Sequence, residues 1–322
     1  MSTNTPSPKL PSMGSMINTY GTVLILIVLL IVAQAMSDVF LTQRNMFNIL
    51  RQVTATGLMS IGMLLVILTR GIDLSVGSIA ALGSVASATF IADMSPIVGV
   101  AATIALGGLC GLASGVLVGF LRLPPFVTTL AIMTIARGAA LIMSQGQPIR
   151  MGADGAAFTA FGSGFWLGIP LPVILLFATF VIAAIVLTFT RFGRLVKAIG
   201  SNEDAVRLSG INVQFYIVSV YIISGMLAAA AGIISTTRTG IGSANIGVGA
   251  ELDAIAAVVI GGASLMGGRG NAINTFIGVF ILGIIANLMN LAGVPGFYQQ
   301  VFKGGIIIAA MLLQYSSTLV KR

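Results

Sequence analysis

The segment RFGRLVKAIGSNEDAVRLSGINV, residues Arg191–Val213, is a polar island between two long apolar runs, Leu171–Thr190 and Phe215–Ser235. Each run is close to the roughly 20 residues with which a helix crosses a bilayer. The island carries six charged residues: Arg191, Arg194, Lys197, Glu203, Asp204 and Arg207. Because charged side chains are costly inside a membrane, the pattern predicts a surface loop between two spanning helices.

The whole chain has the composition of an integral membrane protein. It is 57% hydrophobic and 7% charged, with a mean hydropathy of +1.07, whereas a soluble domain has about 25% charged residues. Forty glycines and continuous apolar runs favour close-packed helices over a β-barrel, whose strands would alternate. We therefore expect an all-α fold, a polytopic membrane helix bundle of about ten transmembrane helices. The lone Cys110 cannot form an internal disulfide and is expected to pack in this bundle.

Two regions are expected along the chain. Residues 1–19, rich in Ser, Pro and Asn, should form a cytoplasmic tail, and residues 20–322 should form the transmembrane domain with its loop at 191–213. The runs that predict spans are Tyr20–Met36, Val53–Thr69, Ser75–Ile91, Pro96–Leu121, Phe126–Met143, Leu171–Thr190, Phe215–Ser235, Leu252–Met266, Asn271–Met289 and Tyr298–Tyr315.

Lysine and arginine are unevenly shared between alternate loops, which predicts the orientation of the bundle. With the island inside, the cytoplasmic set is Lys9, Arg70, Arg122, Arg191, Arg194, Lys197, Arg207, Arg269, Lys321 and Arg322. The outer set is only Arg44, Arg51, Arg150 and Arg238. Both termini are then predicted to be cytoplasmic. The net charge of +8 reflects this loop bias, and no nucleic-acid partner is expected.

A short helix is predicted within the island. Ser201 and Asp204 have the spacing of a capping box, in which each side chain accepts a hydrogen bond from an unpaired backbone N–H. Glu203 and Arg207 are spaced for an i,i+4 ion pair, and Gly210 supplies a stop. An apolar face is expected from Ala205, Val206, Leu208 and Ser209.

A helix of about two turns is too short to be stable alone, so its apolar face needs a surface to rest on. Two surfaces are open to it: the membrane ends of its own chain, or a groove in a separate soluble subunit. In the second case the contact region is the continuous set Ser201, Asn202, Glu203, Asp204, Ala205, Val206, Arg207, Leu208, Ser209 and Gly210.

Several kinds of chemistry are excluded by residue content. There is no histidine, and one cysteine cannot form a thiolate cluster, so neither a metal site nor histidine-based catalysis is expected. None of the four lysines follows a glycine, so the chain lacks a phosphate-binding loop. We expect no cofactor and no enzymatic activity, and any nucleotide energy must come from a partner.

Two charged residues inside the bundle are candidates for a translocation path or gate. Arg137 lies mid-run, where an unpaired charge costs about 2.5 to 3.5 kcal/mol. Pairing with backbone carbonyls and lining of a substrate path are both open. Asp73, in Arg70-Gly-Ile-Asp-Leu-Ser-Val-Gly77, is expected to be an N-cap, or alternatively a gate or partner contact.

Two further features lie around a later span. Glu251 and Asp253 sit at its start, where they complement the helix dipole or present an acidic contact to an external protein. The run IGGASLMGGRGN, residues 260–271, predicts a tight hairpin. Within it, Gly261 and Gly262 serve helix packing or, alternatively, a moving gate. Sugar sites usually use aromatic planes, and the only tryptophan, Trp166, falls in an outer loop, so substrate choice is expected to reside elsewhere.

Three motifs together resemble one family: GIDLSVGS at residues 71–78, SNEDAVRLSGINV at 201–213, and ELDAIAAVVIGGASLMGGRG at 251–270. They are similar to the ribose-type monosaccharide permeases of ABC importers. The resemblance implies an inner-membrane subunit of about ten spans that forms a homodimer. It also implies a cytoplasmic ATP-binding subunit and a periplasmic sugar-binding protein as partners. The island helix Asn202–Ser209 would then be the coupling helix that docks in the ATPase.

The function expected from this resemblance is transport of a ribose-like monosaccharide powered by a separate ATPase. An ion-coupled secondary transporter of a small polar solute is the alternative. Such a transporter usually carries several membrane-embedded acids, whereas all eight acids here are expected at loops or span ends.

Overall fold

The structure, a computed structural model, describes residues 13–152 and 155–319. The helices are α1 (Met13–Met36), α2 (Gln43–Leu68), α3 (Val76–Asp93), α4 (Pro96–Gly119), α5 (Pro125–Ser144), α6 (Ala156–Ser163), α7 (Leu171–Phe189), α8 (Arg191–Ser201), α9 (Glu203–Leu208), α10 (Val213–Thr239), α11 (Ala250–Ile260), α12 (Ala272–Leu291) and α13 (Gly296–Leu319). The two-residue strands are β1 (Ile149–Arg150), β2 (Phe165–Trp166), β3 (Ile169–Pro170) and β4 (Ile241–Gly242).

Six helices in the described ranges are long and apolar enough to cross a membrane: α2, α4, α5, α7, α10 and α12. Shorter apolar stretches lie in α1 and α3. The expected all-α membrane fold is thereby confirmed. Helix α1 begins at Met13, inside the region predicted as a tail, and residues 1–12 lie outside the described ranges.

Helix α4 packs along α10, and the backbones of the two helices lie close together. Gly107, Gly111 and Gly115 recur every four residues along α4, so they share one face. A side chain at Gly111 would collide with the backbone of Tyr221 on α10, and one at Gly107 with the backbone of Gly225. Small residues at these positions allow the close approach that stabilises helix pairs in lipid.

One end of the bundle contains the island helices α8 and α9, and we call it the island end. Here the backbone N–H of Gly268 donates to the carbonyl of Leu68 over 3.0 Å, joining the 261–271 hairpin to the end of α2. At the opposite, far end, β1 pairs with β4, which joins the ends of α5 and α10. The Arg51 guanidinium lies 4.6 Å from the Phe165 ring centroid there.

Helix α11 is shorter than the sequence predicts. The apolar run suggested a span over Leu252–Met266, and this boundary is wrong because the helix ends at Ile260. Gly262, with a φ of +81°, turns the chain into the hairpin, and Gly249, with a φ of +77°, precedes the first residue. The left-handed backbone at both glycines confines α11 to 11 residues.

Candidate functional site

Helix α9 begins one residue later than predicted. Its N-cap is Asn202, whose side-chain oxygen accepts a hydrogen bond from Ala205 N over 3.0 Å. Ser201 instead completes α8, and its hydroxyl donates to the Lys197 carbonyl over 3.0 Å. The predicted capping box is wrong because the Ser201 hydroxyl is already bonded within the preceding helix.

The other local predictions for α9 are confirmed. Arg207 pairs with Glu203 across one turn, and a second contact of 3.7 Å joins Arg207 to Asp204. Gly210 has a φ of +76°, the left-handed conformation expected of a helix stop. Since these ion pairs are partly exposed, they orient the side chains more than they stabilise the fold.

The apolar face of α9 divides between two environments. Val206 is 8% exposed and packs with Ile199 and Val213 of its own chain, whereas Leu208 is 90% exposed. Ala205 is exposed as well. The sequence placed these residues on one face and left open what covers it. Within this chain Val206 is covered and Leu208 is not, because at about 100° per residue the two lie at opposite edges of that face.

A charged pocket of about 540 Å³ adjoins α9. It is lined by Arg70, Arg122, Ser201, Asn202, Glu203, Asp204 and Arg207. Arg122 comes from the loop between α4 and α5 and was not predicted as a site residue. The sequence feature that could have identified Arg122 is its position immediately after a long apolar run, which places it at a membrane surface. The island end thus presents an exposed leucine beside a pocket that contains charges of both signs.

Arg70 holds together the parts of the chain that meet at this pocket. Its Nε donates to the carbonyls of Gly200, over 2.7 Å, and Met266, over 3.1 Å. Its Nη2 donates to the Ser201 carbonyl over 2.8 Å. The backbone of Arg70 has a φ of +65°, which is uncommon for a residue with a side chain. These bonds join the end of α2 to the end of α8 and to the hairpin.

Asp73 lies in the same segment, inside the bundle, and is 1% exposed. Its Oδ1 accepts from Ser75 N over 3.0 Å and also from the Ser75 hydroxyl. Its Oδ2 accepts from the Ser224 hydroxyl of α10 over 2.8 Å. The N-cap of α3 is Ser75, so Asp73 is not the cap that the sequence predicted. Asp73 instead stabilises the turn before α3, through Ser75, and connects this turn to α10, through Ser224.

Arg137 lies against the loop that leads into α11. Its Nη1 donates to the carbonyls of Ala244 and, over 2.8 Å, Ile246. Of the two alternatives for this arginine, the structure shows the pairing with backbone carbonyls. The charge is therefore partly compensated by carbonyl dipoles, which accounts for its position within α5.

The two acids at the start of α11 have different surroundings. The Asp253 carboxylate pairs with Lys303 of α13 over 2.8 Å. The Glu251 carboxylate is half-buried beside Gly77 at the start of α3. Both acids therefore contact other helices of the same chain.

The predicted path residues do not share one set of contacts. Gly261 packs against Asn274 of α12 and belongs to the hairpin with Gly262. Asp73 contacts α10, and Arg137 contacts the 243–246 segment. The predicted path residues therefore lie at three separate contacts of the bundle.

The fold is that of a multi-pass membrane protein, and comparison with known proteins gives its family. Residues 45–311 match the family described as "Branched-chain amino acid transport system / permease component". The chain belongs to this family of permease components.

Among individual proteins, the chain is 44% identical to the ribose import permease protein RbsC of Escherichia coli K12 over 291 residues, covering 89% of this chain and 91% of the relative. It is 43% identical to RbsC of Bacillus subtilis strain 168 over 294 residues, covering 91% of each. It is 38% identical to the D-allose permease AlsC of Escherichia coli K12, covering 91% of this chain and 90% of the relative. No solved structure matches. These relatives make the chain a ribose-type ABC permease, a transport component and not an enzyme.

Proposed function

We propose that this chain is the membrane-spanning subunit of an importer that moves a ribose-like monosaccharide across the bacterial inner membrane. A separate cytoplasmic ATP-binding subunit supplies the energy, and a periplasmic binding protein delivers the sugar. The names of the similar permeases support the choice of a monosaccharide, with ribose first. Two copies of the chain are proposed to enclose the path.

The exposure of Leu208 is the observation that carries the proposal. Leu208 is 90% exposed on a helix anchored at Val206, so nearly all of its side chain is available to enter a groove in another protein. Beside it, Glu203, Asp204 and Arg207 supply charged groups that can pair with polar groups at the rim of the partner. The continuous set from Ser201 to Gly210 is therefore the proposed docking region for the ATPase.

The proposed topology places α8 and α9 on the cytoplasmic side, with both termini on that side. In addition to the six long spans, α1, α3, α11 and α13 would cross or enter the membrane, for about ten crossings in all. Helix α11 is too short to cross alone, and its preceding loop would complete the passage within the protein, where irregular backbone is tolerated.

Two loops are proposed to take part in substrate passage: the α2–α3 loop, which contains Asp73, and the α10–α11 loop, which Arg137 contacts. Movement of the island end would shift the hairpin at Gly261 and Gly262 and thereby the start of α11. For Glu251 and Asp253, the contacts with Gly77 and Lys303 support a bracing role at this helix. Their predicted contact with the binding protein is tested by charge reversal at each position and measurement of binding-protein affinity.

The ion-coupled alternative requires an acid free to bind a cation. Asp73 is a buried acid, but both of its oxygens accept hydrogen bonds from groups of this chain. This arrangement supports a structural anchor in place of an ion site.

The test is co-purification of the chain with its ATPase and measurement of ATP turnover that depends on sugar-loaded binding protein. Leu208→Asp is expected to abolish assembly and this turnover. Leu167→Asp is the matched control for assembly, because Leu167 is 82% exposed between β2 and β3 at the far end. Equal assembly of both variants and wild type would refute the docking role of α9.

A further inference from the structure

The α2–α3 loop, residues 69–75, runs from the island end into the interior of the bundle. Arg70 at its start donates three hydrogen bonds to carbonyls of α8 and the hairpin. Asp73, three residues later, accepts from Ser224 in the middle of α10. At about 3.3 Å per residue for an extended chain, these three residues cover at most roughly 10 Å. The loop is therefore a direct physical connection between α9 and the membrane interior.

At the island end, the loop is held by hydrogen bonds and backbone contacts. Two of the Arg70 bonds end on Gly200 and Ser201, the residues that immediately precede the Asn202 cap of α9. A side chain at Gly200 would collide with the Leu68 carbonyl, so α8 and α2 touch through their backbones. Displacement of α9 is consequently transmitted to Arg70 through backbone contacts and charge-assisted hydrogen bonds.

At its interior end, the loop leads into α3, whose first turn contacts the segment before the short helix α11. Gly77, the second residue of α3, is in backbone contact with Gly247, and the Glu251 carboxylate lies beside the same glycine. Arg137 holds the adjoining carbonyls of Ala244 and Ile246. The start of α3 and the start of α11 thus meet four residues along the chain from Asp73.

We propose that Arg70 is the positioning residue that transmits movement of α9 to the starts of α3 and α11. The inference rests on the proposed function, since it presupposes an ATPase that moves α9. Arg70 does not contact the sugar. Its planar fork joins three carbonyls from two segments, which a lysine with a single nitrogen cannot reproduce.

The main variant is Arg70→Gly. Glycine accepts the φ of +65° without strain, so the substitution removes the side-chain bonds and leaves the backbone conformation favoured. Arg70→Lys keeps the charge and removes the fork. The matched control is Arg269→Ala, because Arg269 is an exposed arginine of the same hairpin whose guanidinium makes no hydrogen bond within the described part of the chain.

Each variant is reconstituted with the ATPase and binding protein in proteoliposomes, and sugar uptake per ATP hydrolysed is measured. Wild type and Arg269→Ala are expected to couple equally. Arg70→Gly and Arg70→Lys are expected to assemble and hydrolyse ATP, but to lose about tenfold or more in sugar moved per ATP, within the usual range of coupling between sites. Unchanged coupling in both Arg70 variants, or the same loss in Arg269→Ala, would overturn the proposal.

A second measurement does not depend on activity. Hydrogen exchange of residues 69–77 in the assembled complex is compared with and without a non-hydrolysable ATP analogue. The nucleotide is expected to alter exchange there in wild type and in Arg269→Ala, but not in Arg70→Gly. An identical response in Arg70→Gly would refute transmission through Arg70. Failure of the wild-type chain to assemble with any ATPase would instead refute the proposed function, on which this inference rests.

Discussion

Truncation of Leu208 and of Val206 should have opposite consequences, although the two residues are two positions apart on α9. Leu208→Ala removes three carbon atoms from a side chain that is 90% exposed in the free chain. At about 0.8 kcal/mol per buried methylene, docking of the full leucine contributes about 2 kcal/mol more than docking of alanine. The dissociation constant of the ATPase complex should therefore rise about 30-fold, while the stability of the free chain is nearly unchanged.

Val206→Ala removes two carbon atoms from a side chain that is 8% exposed and packs with Ile199 and Val213. This loss should cost about 1.5 kcal/mol or more of the free energy that holds α9 in place. Faster hydrogen exchange in α9 and a lower melting temperature should report it, with only a small change in affinity.

The assay is titration of the purified ATPase onto the chain in lipid nanodiscs, with thermal unfolding of the same samples. The reasoning is refuted if Leu208→Ala binds within about twofold of wild type, which corresponds to only about 0.4 kcal/mol. It is refuted equally if Leu208→Ala destabilises the free chain as much as Val206→Ala does.

Three further predictions concern the membrane interior. Gly111→Ala places a methyl group against the Tyr221 backbone and should destabilise the bundle by about 1 to 3 kcal/mol. Gly138→Ala is the control and should be tolerated, because a side chain there would meet open space. Thermal melting of both variants checks this prediction. Asp73→Asn should retain stability and sugar uptake, because an amide can keep the contacts with Ser75 and Ser224. Asp73→Ala removes these contacts and should lower the melting temperature. Loss of uptake in the asparagine variant would favour the ion-coupled alternative. Arg137→Leu leaves the carbonyls of Ala244 and Ile246 without this donor. Hydrogen exchange over residues 240–250 should therefore accelerate, and sugar uptake should fall. Unchanged exchange would contradict the role assigned to Arg137.

Local spacing predicted a good part of α9 from the sequence. The ion pair between Glu203 and Arg207 and the stop at Gly210 depend only on neighbours within one or two turns, and both are present. The N-cap was misassigned because Ser201 and Asn202 are adjacent and both can cap a helix. The choice between them depends on where α8 ends, which the island sequence does not specify by itself.

Long-range contacts explain what the sequence could not predict. Arg70 donates hydrogen bonds to carbonyls 130, 131 and 196 positions away. Because every residue has a backbone carbonyl, the sequence does not indicate which of them accepts these bonds. The burial of Asp73 has the same origin, since its partner Ser224 comes from α10. Helix α11 was predicted too long because its apolar run continues into the hairpin, while the turn depends on the left-handed backbone at Gly262.

The divided face of α9 combines the two alternatives for the island helix that the sequence left open. A helix packed entirely on its own chain would offer an ATPase nothing to hold, and a helix with no contact to its own chain could not pass movement to the bundle. Val206 supplies the attachment to α8 and α10, and Leu208 supplies the surface for a partner. Because the Asn202 cap follows directly on the residues that Arg70 holds, force applied at Leu208 acts on the backbone that leads to Asp73. A six-residue helix can serve this purpose because it is anchored by its neighbours and needs no independent stability.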